Sequence, residues 1–294
     1  MTPALHKRTD SGVLTDAIDF LLWAAANSGK TSFYQKWRIQ RNYKTKQYRL
    51  LDNWDIRRAE GRFENCRRAF LKYIEVFQLS RQKGHMVIML HGLGESKNIF
   101  KPLWREALKN GYMAAAINYP STRKRIDGHI RQLDFFMNHL EDVQEVSFVT
   151  NGIGGVILRK LLSFDSPWRH KIKLNRIVEV SPPNQGSTLF KLLDKYRLFQ
   201  RVLGPILKDV TPEAAKRLPP FENPQQVGII NCVPVWKRIL FLLPEKWRQM
   251  LGSGEDAELK GVKQTITIKN TFFNPFKNEE VVRRCVKFLN QGKF

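Results

Sequence analysis

No histidine follows position 170 in this chain of 294 residues. The six present are His6, His85, His91, His129, His139 and His170, so no imidazole can come from the C-terminal part. Cysteine is nearly as scarce. Cys66, Cys232 and Cys285 lie far apart without a CxxC pair, which argues against a thiolate zinc site and against a disulfide framework. No apolar run reaches the about 18 residues of a membrane-crossing helix. The FLLWAAA run, Phe20–Ala26, is short, follows Asp16 and Asp19 and lacks a clear cleavage site, so a secretory leader is not expected. A reducing compartment is expected, the bacterial cytoplasm or an organelle matrix. No metal site and no cofactor is expected.

Acidic residues are few: 27 Asp and Glu stand against 50 Lys and Arg, a net charge of +23. The excess is spread along the chain. Residues 1–83 hold 17 basic and 8 acidic residues, and residues 84–294 hold 33 and 19. A basic surface over much of the fold therefore fits better than a basic tail, and it suits a polyanion such as RNA or an anionic membrane surface. The stretch KWRIQRNYKTKQYR interleaves cations and aromatics, as contacts to phosphates and bases require. Lys36, Arg38, Arg41, Lys44, Lys46 and Arg49 are its candidate contacts. Protein partners in a larger complex would use the same charge.

Ample apolar residues are present, 42%, and they follow two periods. MVIML (86–90), MAAAI (113–117), EVSFVT (145–150), RIVEV (176–180), VGIINC (227–232) and QTITI (264–268) read as buried strands. Helical spacing occupies 98–110, 126–140, 154–163 and 278–290. Alternation of this kind predicts an α/β fold, a mostly parallel sheet flanked by helices. Two stretches, about 187–220 and 234–252, interrupt it after late strands, where helical cap-like insertions would sit over a ligand cleft. The second contains WKRILFLLPEKW, an amphipathic run that also suits a membrane interface. Residues 1–83 form a separate, basic unit predicted to be mainly helical. The domain proper then runs from 84 to 294.

Four motifs fall in order: IMLHGLGES, INYPSTRK, FVTNGIGGVILRKLL and VEVSPPNQGSTL. Together they resemble the lipase/esterase-like branch of the α/β-hydrolase superfamily, over about residues 84–294. That resemblance implies a serine nucleophile on a sharp strand-to-helix elbow, then an acid, then a histidine base. The elbow corresponds to VTNGIGG, with Asn151 where a histidine is usual and Gly152 where the serine would be. Gly154 and Gly155 keep the elbow's packing glycines, and the Ile153 N–H keeps the place of an oxyanion donor. His91, Gly92, Leu93 and Gly94 keep the HG turn that supplies the other donor. IKNTFF puts Asn270 in the slot of the histidine, and an amide is no base near neutral pH. Asp256 and Glu258 are the nearest candidates for the acid. Thr150, Ser147, Ser181, Ser187 and Cys232 are possible substitutes without a predicted base beside them.

Two losses together imply a member of the superfamily that is not an enzyme, a pseudo-hydrolase acting as a basic binding or scaffold protein. The alternatives are a peripheral lipid-binding protein and an active esterase or lipase with relocated catalytic residues.

Overall fold

The computed structural model describes residues 17–21, 37–42, 45–52, 54, 56–78, 84–138, 140, 143–234, 257–270 and 273–294. The N-terminal part is an antiparallel sheet of β1 (Ala17–Leu21), β2 (Arg38–Asn42), β3 (Tyr48–Leu51) and β4 (Arg57–Gly61), in that order, followed by α1 (Phe63–Val76). This corrects the mainly helical extension expected there. Arg, Lys and Gln are good helix formers, but here cross-strand pairing decides. Ile39 stands opposite Leu50, and both are fully buried. Next to them Arg49 Nε donates to Gln40 Oε1 at 2.8 Å across the same pair of strands. The hairpin closes where the Asn42 N–H donates to the Gln47 carbonyl, with Lys46 at φ 62° in the turn.

The second sheet is built from the apolar runs. Its elements in chain order are β5 (Gly84–Leu90), α2 (Lys101–Lys109), β6 (Met113–Ile117), α3 (Ile126–Asn138), β7 (Val143–Asn151), α4 (Ile153–Leu162) and β8 (Lys173–Val180). Short helices α5 (Thr188–Leu193), α6 (Arg197–Leu203) and α7 (Pro212–Lys216) precede β9 (Val227–Pro234), β10 (Gln264–Asn270) and α8 (Glu279–Gln291). The six strands are all parallel, in the order β10-β9-β8-β7-β5-β6.

Successive strand residues point to opposite faces, so each face carries its own core. Met86, Ile88, Leu90, Val146 and Phe148 lie on one side, with buried residues of α3 and α4. Trp37, Ile39, Leu50, Cys66 and Phe70 belong to that same cluster, so the N-terminal sheet and α1 share its apolar burial. Val87, Met89, Val149 and Val178 face the other way, onto α2 and α8.

Of the two expected insertions, 187–220 carries α5, α6 and α7. Its Ile206, Leu207 and Val210 are fully buried. It closes down on the loop after β6. A Cβ at Gly204 would lie 1.7 Å from the Thr122 carbonyl oxygen, and Gly204 sits at φ 85°, so only glycine fits. Arg125 also binds Asp209 across this contact. The other insertion, 234–252, lies outside the described residues beyond Pro234.

Candidate active site

The chain leaves β5 toward β6 on one side and returns to β7 on the other. The crevice at such a reversal, beyond the carboxyl ends of the strands, is where parallel α/β sheets bind ligands. Two loops meet there: the HG turn after Leu90 and the elbow after Asn151.

At the elbow Gly152 adopts φ 50° and ψ −124°, a region that strains any residue with a side chain. Its N–H donates to the Val180 carbonyl at 2.9 Å, which ties the corner to β8. Two further glycines let α4 sit tightly on the sheet. A Cβ on Gly154 would stand 2.4 Å from the Leu90 carbonyl oxygen, and one on Gly155 2.6 Å from Glu179 Oε1. At Gly152 itself there is room, since a Cβ would meet only Gly92 Cα at 3.8 Å.

His91 is buried inside the turn. Its Nδ1 bonds with the Gly92 carbonyl at 2.9 Å, its ring stacks on Tyr119 at 4.1 Å, and the Tyr119 hydroxyl donates to its carbonyl oxygen. These contacts leave it a structural part of the turn. The Gly94 N–H donates to Ser121 Oγ at 3.0 Å, which removes it from the expected oxyanion donors. Leu93 and Gly152 keep partial exposure, while Ile153 is buried at the start of α4.

The group that occupies the crevice is Glu95, which sequence reasoning missed. Its Oε2 accepts from the Gly92 N–H at 2.6 Å and from Asn151 Nδ2 at 2.8 Å, and its Oε1 is 3.0 Å from the same amide. Asn151, in the usual histidine position, thus holds a carboxylate against the elbow. Burial pushes the Glu95 carboxyl above its ordinary pKa, and the Asn151 and Gly92 hydrogen bonds only partly offset this. A half-desolvated carboxylate held by two donors beside an open corner is the arrangement of a general base. In the sequence Glu95 is one residue of a glycine loop, 56 positions from Asn151. Only the adjacency of β5 and β7 joins the two.

The other candidates lie elsewhere. Asn270 is buried at the end of β10, with β8 and β9 between that strand and β7. Asp256 falls outside the described residues, and Glu258 is exposed, its carbonyl accepting from Gln185. Ser147 Oγ accepts from the Arg176 N–H and lies 2.8 Å from His85 Nε2. Ser181 Oγ accepts from the Cys232 N–H, and Ser187 caps α5. Burial pushes the Cys232 thiol up to about 12, far from a nucleophilic thiolate. Thr150 is fully buried on β7, opposite Glu179 on β8. Among the basic candidates, Lys36 and Lys44 lie outside the described residues, and Arg38 is described only as part of β2. Arg49 bonds Gln40, Lys46 is exposed, and Arg41 lies over the Tyr48 ring at 5.7 Å.

No protein-family model matches the chain, and no curated protein matches it by sequence. Solved structures do. The mature lipase BlEst2 of Bacillus licheniformis superposes with a TM-score of 0.51 at 17% identity, over 71% of this chain and 91% of the lipase. The chain has the α/β-hydrolase fold. The monoacylglycerol lipase of Paleococcus ferrophilus (TM-score 0.44, 16% identity, 71% and 95% of the two chains) and the esterase EaEST of Exiguobacterium antarcticum (0.42, 12%, 71% and 93%) are also similar.

This overturns one expectation. Gly152, Asn270 and the missing C-terminal histidine were read as marks of a chain that is not an enzyme. The lipase BlEst2 shares the fold, and nothing in the comparisons or the structure shows a loss of activity, so that expectation is withdrawn. The replaced residues exclude one device, a serine at the elbow activated by a histidine after the last strand. They leave the crevice, the elbow and a poised carboxylate in place.

Proposed function

We propose that the protein is an ester hydrolase whose catalytic group has moved from the elbow to the HG turn. One observation carries this reading: the Glu95 carboxylate held by Gly92 and Asn151 beside the space that Gly152 leaves. A water bound in that space gives a proton to Glu95 as its oxygen bonds to the ester carbonyl carbon. The carbonyl oxygen takes up the negative charge, opposite the Ile153 and Leu93 N–H groups. Collapse of the intermediate breaks the bond to the alkoxide, which recovers the proton from Glu95. A carboxylic acid and an alcohol leave. The mechanism needs no covalent intermediate and no imidazole.

Release of p-nitrophenol from short p-nitrophenyl esters is expected well above buffer; a rate equal to buffer sinks the proposal. Gly152→Ser adds a discriminating result. The side chain fits, but it fills the place of the water and has no histidine to activate it. We expect a folded variant whose turnover falls by about 100-fold, as the displacement of a positioned reactant costs. A gain in turnover instead would mean that the elbow still works as a nucleophile site. A reducing compartment, the bacterial cytoplasm or an organelle matrix, remains part of this reading, supported by three cysteines that are all unpaired.

A further inference from the structure

A second cavity, of about 340 Å³, lies between the β2–β3 hairpin and α3. Arg41, Lys124 and Arg131 bring three cations to its wall, and Tyr48 and Phe135 bring two aromatic rings. No carboxylate is among its described lining residues. These cations come from a strand, a loop and a helix, with Arg41 more than 80 positions before the other two, so they are not one solvated helix face. Among the described residues, Asp127 pairs with Lys160 at 2.5 Å and Asp209 with Arg125.

Details of the wall indicate a built site. Gly128, in the first turn of α3, lets the Lys124 chain lie flat across the helix, since a Cβ there would meet Lys124 Cδ at 3.1 Å. Arg41 Nε and Gln132 Oε1 are buried without a hydrogen-bond partner among the described residues. A buried donor and a buried acceptor left unpaired cost about 1–3 kcal/mol each, a penalty that a ligand would relieve. The Lys124 ammonium is pushed down to about 8, first by burial and then by Lys46, Arg41 and Arg131. A bound anion reverses that repulsion.

We propose that this cavity binds the phosphate of a nucleotide, free or at the end of an RNA chain. Arg41, Lys124 and Arg131 hold the phosphate, Tyr48 and Phe135 flank the base, and Gln132 Oε1 accepts from a sugar hydroxyl or base amine. Flat aromatic walls and an unpaired acceptor favour a nucleotide over the headgroup of an anionic lipid. The site is separate from the Glu95 crevice, and its test is independent of hydrolysis.

Calorimetric titration of the full chain with AMP, adenosine and inorganic phosphate decides it. AMP binding that weakens with added salt is expected, at least about tenfold tighter than either fragment, as loss of a charge-assisted contact or of stacking implies. Arg131→Glu, an exposed position that leaves the core untouched, weakens AMP by a similar factor, and Lys124→Ala does the same. A 5′-phosphorylated oligoribonucleotide that displaces AMP assigns the site to RNA ends, and one that does not assigns it to free nucleotides; both support the proposal. It is overturned if adenosine or phosphate binds as well as AMP, if both variants bind AMP as the native chain does, or if phosphatidylglycerol vesicles bind and AMP does not.

Discussion

Glu95→Gln is expected to lower ester hydrolysis by about 100-fold or more while the chain stays folded, the range in which a positioned general base contributes. Glutamine has the shape of glutamate, so its carbonyl can still accept from the Gly92 N–H that now meets Oε2 at 2.6 Å. What disappears is the capacity to take a proton. An unchanged circular dichroism spectrum with lost turnover separates this chemical role from a structural one. Equal turnover in the two proteins would remove Glu95 from the reaction. The pH profile gives a second readout. Glu95 must be ionised to act, and burial raises its pKa. Activity should therefore rise with pH through a midpoint above the ordinary carboxylate value of 4.5, and Glu95→Gln should abolish that limb.

The same geometry explains why a glycine at the elbow is compatible with chemistry. The corner needs φ 50° and ψ −124°, which glycine adopts at least strain. In the serine design that strain is accepted because it presents a hydroxyl. Here the corner presents space, and Asn151 uses the former histidine position to fix the carboxylate. Glu95 gains from Asn151 as an amide what it could not gain from an imidazole, a donor that never competes for the proton.

Most of the large sheet was legible because parallel strands covered on both faces read as unbroken apolar runs, as in MVIML and VGIINC. The N-terminal strands were not. Among their described side chains β2 buries one large apolar residue, β3 two and β4 none, and their cations and glutamines favour helix in isolation. Ile39 and Leu50 identify a hairpin only when seen as partners. The loss of serine and histidine is visible residue by residue, whereas the role proposed for Glu95 is not, because within HGLGES it is one charged residue in a glycine loop. Of the cations lining the second cavity, Arg41 stood out in an aromatic-rich segment, whereas Lys124 and Arg131 joined it only through the packing of α3 beneath the hairpin. Glu179 did leave a trace: a charged residue in the middle of RIVEV, a strand otherwise apolar from Ile177 on.

That residue should make the protein less stable as pH rises. Glu179 is fully buried on β8 and takes one hydrogen bond, from Asn184 Nδ2 at 2.7 Å, to Oε2. Its Oε1 has no partner among the described residues. Arg159, the nearby cation, spends its guanidinium on the carbonyls of Asn184, Leu218 and Pro219. Burial raises the Glu179 pKa from 4.5 to about 7, against the weaker pull of Asn184 and Arg159. A carboxyl raised by folding costs nothing below its unfolded value, where both states are protonated. Its cost grows between about 4.5 and 7 and is complete above that window, because the folded chain must either hold the proton or bury the charge. At about 1.4 kcal/mol per pKa unit, the full cost is about 3 kcal/mol. Glu179→Gln removes the titrating group and keeps an acceptor for Asn184. Relative to the native chain, its stability to urea should improve by about 3 kcal/mol between pH 4.5 and pH 8, whatever its offset at the acid end. A difference that stays constant across that range would show that Glu179 is ionised in the fold at every pH tested, held by Arg159 as a buried ion pair.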